Sequence, residues 1–154
     1  MKKGDHAPPI GVFHSAESFL LAAQLLQNAE ESEELSLRFD LPIYHLYCHA
    51  LELTMKAFLR TKGYSEELLA SRKFGHKLQV LWDACVDEGL HSHQVTDAVI
   101  ADIIEMLDPF AASLEFRYRK GGKVTRPMIG AVESAVVDLM VAVEPHCRAT
   151  GPIP

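Results

Sequence analysis

The stretch around residues 42–62 constrains the fold of this chain more than any other. Ile43, Leu46, Tyr47, Ala50, Leu51, Ala57 and Phe58 recur at three- and four-residue intervals, with Thr54 in the same stripe and Leu53 widening it. Such spacing is that of an α-helix, and a stripe this wide needs partners on several sides. Pro42, just after Asp40, suits a first helical turn, and Gly63 suits a C-terminal stop. The pattern therefore predicts a helix over 42–62 at the centre of a helical core.

The rest of the chain supplies helices to surround it. Ser15 offers an N-cap for a helix over about 15–37, with Phe19, Ala22, Ala23, Leu26 and Ala29 inward and the acidic run 30–34 as a solvated face. A short turn follows at 66–71. A helix over 76–88 carries Leu78, Leu81, Trp82 and Cys85 inward and stops at Gly89; another over 96–112 carries Val99, Ile103, Met106, Leu107 and Phe110, and Pro109 is expected to kink or end it. Residues 115–126 read as a loop. A last helix over 127–148, capped by Thr125, carries Ile129, Val132, Val136, Leu139, Met140 and Val143, with Pro145 as a possible early end. No run alternates as a strand does, and no repeat is visible. Helices joined by short connections pack on their chain neighbours, so the expected fold is an all-α, up-and-down bundle of about five helices. Residues 1–12 read as a tail, and 13–150 as one domain.

A chain of 154 residues has room for a core of its own. The net charge of −6 excludes a uniformly basic nucleic-acid binder but leaves room for a local basic patch. The three cysteines, Cys48, Cys85 and Cys147, form no Cys-x-x-Cys pair and read as small buried hydrophobes of a reducing compartment. No signal-peptide pattern and no run of about 18 apolar residues appears. A cytoplasmic protein without membrane contact is expected.

Three groups of residues could carry chemistry. His45, His49, Glu52 and Lys56 share one face of the central helix. Two histidines one turn apart beside a carboxylate suggest a metal, but no fourth ligand is prescribed and His-Glu-x-x-His is absent, so neither a metal nor a cofactor is expected. The simpler reading is a solvated face with a Glu52–Lys56 pair, or a structural pair reaching another helix. In the second group, Arg117, Arg119, Lys120, Lys123 and Arg126 cluster around Gly121 and Gly122, with Tyr118 among them. Glycine lets backbone N–H groups approach an anion, arginine grips phosphate and tyrosine offers a stacking face. The third group is 72–76, where His76 stands before a helix and could cap it, bond across the bundle or act as a base. His91 and His93 read as loop residues.

The order of these motifs resembles that of HEPN domains (higher eukaryotes and prokaryotes nucleotide-binding). The run from Ala50 to Leu59, with Leu51-Glu52, Lys56-Ala57 and then Gly63, resembles the signature helix of that superfamily. Gly75-His76-Lys77-Leu78, with Leu81 one turn on, is similar to its Gly-His-x-Leu segment. Phe116-Arg117-Tyr118 is similar to its Arg-Tyr-Pro segment, with Arg119 in place of proline. The resemblance spans about 43–123.

It implies a four- or five-helix bundle, often a homodimer. Many members are ribonucleases of toxin or defence systems, with an Arg-x(4–6)-His motif at the dimer interface; others lack it and bind nucleotides or partners, some beside a nucleotidyltransferase. Here the one formal match, Arg38 to His45, lies at the start of the central helix and contains Pro42, whereas the family motif lies on a late helix. Arg126 and His146 are too far apart. The expectation is a non-catalytic module, with no catalytic residue, that binds nucleotide or RNA phosphate through Arg117, Tyr118, Arg119, Lys120 and Lys123, with Lys56 and His76 as neighbours. A homodimer and a nucleotidyltransferase partner are the expected associations. The alternatives are a divergent metal-independent ribonuclease using His45 or His76, and a protein-interaction or dimerisation module.

Overall fold

A computed structural model describes residues 6–37, 40–90, 94–112 and 127–150. Among them are six α-helices and no strand: α1 Pro9–Glu31, α2 Leu41–Thr61, α3 Glu66–Ala70, α4 Leu78–Asp87, α5 Gln94–Ala112 and α6 Ile129–Thr150. The five long helices are those the periodicity predicts, and α3 is the expected short turn. No helix among the described residues is long and apolar enough to cross a membrane.

The stripe on α2 sets the architecture. Helix α2 packs against α1, α4, α5 and α6, and Tyr47, Leu51, Met55, Phe58 and Leu59 are fully buried. Burial of such side chains contributes roughly 1.5–3 kcal/mol each before entropy is counted, so α2 is the main source of core stabilisation. Pro42 lies in its first turn, and Gly63, with φ +90°, follows its end.

Several local expectations shift. Helix α1 starts at Pro9 rather than near Ser15, because Pro9 has no N–H to leave unpaired at a helix start. Ser15 is inside the helix, its hydroxyl donating to the Gly11 carbonyl. The helix stops at Glu31, short of the predicted 37, and Glu33 then takes a positive φ. Its buried face is Phe13, Ala16, Leu20, Ala23 and Gln27, while Phe19, Ala22, Leu26 and Ala29 are only partly covered. In α5 the buried positions are Ile100, Ile103, Ile104 and Leu107; Val99 and Met106 are exposed. Pro109 and Pro145 lie inside α5 and α6, and neither ends its helix. All three cysteines are buried and unpaired by disulfides.

Two further contacts tie the helices together. The α4 N-terminus has no local side-chain cap. Its Gln79 N–H instead donates to Asp108 of α5 at 3.1 Å, so a carboxylate from a neighbouring helix satisfies one of the orphan donors. On the other side, the Tyr44 hydroxyl donates to the Pro127 carbonyl at 2.6 Å and holds the approach to α6 against α2.

Candidate functional site

The site grows from Glu52, whose side chain is 5% exposed in the middle of α2. A carboxylate in that position must be satisfied or neutralised, because an unpaired buried charge is costly. Three basic side chains meet it. His49, one turn earlier on α2, places Nδ1 3.3 Å from Oε2. Lys56, one turn later, places Nζ 4.0 Å from Oε1. His76, from outside the helix, places Nδ1 2.5 Å from the same Oε1. Burial pushes the Glu52 carboxyl up, but the hydrogen bond from His49, the Lys56 charge and the hydrogen bond from His76 outweigh it and hold the group below the usual carboxylate range. Glu52 is therefore ionised at neutral pH.

His76 arrives through the segment between α3 and α4. Phe74 is 2% exposed and packs edge-on against Tyr64, with ring centroids 5.9 Å apart, so it anchors the segment. The Gly75 N–H donates to the Ser71 carbonyl at 2.8 Å, and the Lys77 N–H to the Phe74 carbonyl at 2.9 Å. Gly75 takes φ +44°, a region that favours glycine. Leu78 then enters the core. The sequence Phe-Gly-His-Lys-Leu thus reads in space as anchor, turn, site residue, exposed cation and core residue. His76 does not cap α4. It makes the cross-bundle hydrogen bond instead.

The two histidines differ in access. His49 is 32% exposed on its side chain, and the Phe19 ring meets it edge-on at 4.2 Å between centroids. The His45 ring stacks on the other side at 6.4 Å. His76 is 58% exposed. Around it Arg72, Lys73 and Lys77 are exposed, and residues 71–77 contain no carboxylate. The Lys77 ammonium donates to the Arg72 carbonyl at 2.6 Å, which closes the segment on itself and holds the Lys77 charge against it.

Two of the predicted phosphate-site residues, Lys56 and His76, are thus brought together on one oxygen of Glu52. Arg117, Tyr118, Arg119, Lys120 and Lys123 lie outside the described residues. Glu52 and His49 belong to the site although the sequence reading placed Glu52 in the architecture; their spacing to Lys56 was the signal. No group of three or more His, Cys, Asp or Glu among the described residues is arranged to hold a metal ion. Burial holds the three thiols above their usual range, which removes them as nucleophiles at neutral pH. A cavity of about 210 Å³ elsewhere is lined by Gln27, Glu30, Glu31, Asp40, Ile43 and Ile129, an acidic rim unsuited to phosphate. No family model, no curated protein and no solved structure matches this chain.

Proposed function

We propose that this chain is a HEPN-like helical module that binds the phosphate of a nucleotide or an RNA. One observation carries the reading: Lys56 and His76, from two separate elements, converge on a buried carboxylate beneath a turn whose exposed charges, Arg72, Lys73 and Lys77, are all basic. In a chain of net charge −6 this is a local reversal of sign. An anion is attracted to such a local field whatever the net charge. Glu52 holds the donors in place and is itself screened from a ligand by burial. Arg117, Arg119, Lys120 and Lys123 supply further cations in this reading, and Tyr118 a stacking face. A homodimer, and a nucleotidyltransferase as partner, complete the proposal.

Titration with a fluorescent nucleotide and with a short single-stranded RNA at low salt tests it. Binding should weaken as salt rises, and replacing Arg117 and Arg119 by alanine should weaken it and flatten the salt dependence. Absence of any signal with the unaltered protein at low salt overturns the reading. A second reading, metal-independent RNA cleavage, is favoured by the Glu52–His76 pair, since a carboxylate that fixes an imidazole is how a general base is oriented. Cleavage of the RNA in chelator that is lost in His76→Ala would replace binding by catalysis as the function.

A further inference from the structure

We propose that His76 is a phosphoryl-acceptor residue, its Nε2 taking a phosphoryl group from a donor of high transfer potential such as an N–P or acyl phosphate. The proposal does not rest on nucleotide binding, because the donor needs no base.

The geometry distinguishes His76 from His49 and His6, which also meet a carboxylate. Its Nδ1 lies 2.5 Å from the Glu52 carboxylate, which can only accept, so the contact selects the tautomer with the proton on Nδ1 and leaves Nε2 of the neutral ring as the nitrogen with the lone pair. His49 also meets Glu52, but the Phe19 ring crowds it and most of its side chain is covered. His6 is held through both nitrogens, Nδ1 at 2.6 Å from Glu66 and Nε2 at 3.6 Å from Glu67. His76 alone among these three combines a carboxylate on one nitrogen with a side chain that is 58% exposed. Phe74 and Gly75 fix the turn that presents it, so the imidazole is pre-positioned rather than free.

The surroundings suit this chemistry. The Nε2 lone pair attacks phosphorus, and the bond from phosphorus to the donor's leaving atom breaks, the leaving group departing with that electron pair. With phosphoramidate the leaving group is ammonia, and no proton has to move. The ring then carries a phosphoryl group on Nε2, a proton on Nδ1 and a positive charge. Glu52 faces that charge and stabilises it. Arg72, Lys73 and Lys77, exposed on the same short segment, are the cations that would meet the phosphoryl oxygens, while Lys56 lies on the Nδ1 side, at Glu52 Oε1. An imidazole with a buried carboxylate on one nitrogen, in a segment whose exposed charges are all basic, is activated and has positive charge at hand for a phosphoryl group.

Incubation of the full chain with phosphoramidate tests the proposal, read by intact mass and by phosphorus NMR. The expected result is one added phosphoryl group, mapped to His76 and assigned to Nε2. His76→Gln, at an exposed position, should fold and lose the label, while His14→Gln should keep it. Glu52 is a positioning residue here. Glu52→Gln should slow labelling by about tenfold or more. It should also let the Nδ1-phosphorylated isomer appear, an effect that loss of stability alone does not produce. Failure of the unaltered chain to take up phosphoryl overturns the proposal, as does a label that persists in His76→Gln.

Discussion

Glu52 Oε1 and His76 Nδ1 lie 2.5 Å apart, joining the centre of α2 to the turn that precedes α4. The pair spans 24 residues of sequence and links the most buried helix to an exposed cationic segment. Two consequences follow for Glu52 itself. Replacing it by alanine leaves Lys56, only 15% exposed on its side chain, without its partner. His76 and His49 can turn to water, so the loss is smaller than for a fully enclosed pair. The expected destabilisation of Glu52→Ala is about 1–3 kcal/mol, read from the urea midpoint at unchanged slope. A change within about 0.5 kcal/mol would show that Glu52 has no structural role, since that is the scatter of ordinary surface substitutions.

Acid provides an independent measurement on the same carboxylate. Its folded-state pKa lies below the ordinary value. The unfolded state therefore binds a proton first, and the resulting stabilisation is present above the unfolded glutamate pKa of about 4.3. It fades as pH falls through the lower folded value. The gap in melting temperature between the unaltered chain and Glu52→Gln should be full at pH 6 and close on acidification below about pH 4. A gap that is constant across that range would mean the charge of Glu52 contributes nothing.

Gly75 tests the turn. A Cβ there meets only the Ser71 carbonyl oxygen, at 3.6 Å, an ordinary contact. Its φ of +44° is the difficulty. Gly75→Ala should cost about 1–2 kcal/mol from backbone strain alone, and Gly75→Asn less, since asparagine tolerates this region. The same substitutions should reduce phosphoryl uptake at His76, because the turn that sets His76 over Glu52 would no longer hold its shape. Equal stability for all three residues would place the turn's rigidity elsewhere.

How much of this was legible in the sequence differs from residue to residue. The centrality of α2 was legible because its apolar stripe is too wide for a surface helix. The buried face of α1 was not, because apolar residues surround much of that helix; Leu21 and Leu25 are left 59% and 70% exposed while Gln27 is buried, bonded to the Tyr47 hydroxyl. The proximity of His49, Glu52 and Lys56 follows from helical spacing. That Glu52 is buried does not, since spacing gives a face and not what covers it. The covering group, His76, reaches it through a turn whose glycine has a positive φ, and single-sequence periodicity carries no information about that approach. Pro109 was expected to kink or end its helix, and Pro145 to end its helix early. Both helices continue past the proline, in α6 with Val143 and Cys147 buried on either side of Pro145 and in α5 with Leu107 buried before Pro109 and Phe110 half-buried after it, packing that offsets the loss of a backbone hydrogen bond.

The N-terminal segment is fastened by a pH-sensitive contact away from this site. His6 Nδ1 lies 2.6 Å from Glu66 Oε2, the Ala7 N–H donates to Glu66 Oε1 at 3.0 Å, and Arg60 donates to the Ala7 carbonyl at 3.1 Å. The hydrogen bond to Glu66 raises the His6 pKa, with the Glu66 and Glu67 charges adding to it, against desolvation and the Arg60 charge. A histidine with a raised folded pKa stabilises its contact fully below the unfolded value of about 6.5, and the stabilisation is lost as pH rises through the folded value. The protection factor of the Ala7 amide in hydrogen exchange, corrected for the intrinsic rate, should therefore fall as pH is raised from 6 to 8. In His6→Ala it should be low and level across that range, while the Arg60 bond still holds the carbonyl. A fall of equal size in both proteins would assign the pH response to a group other than His6.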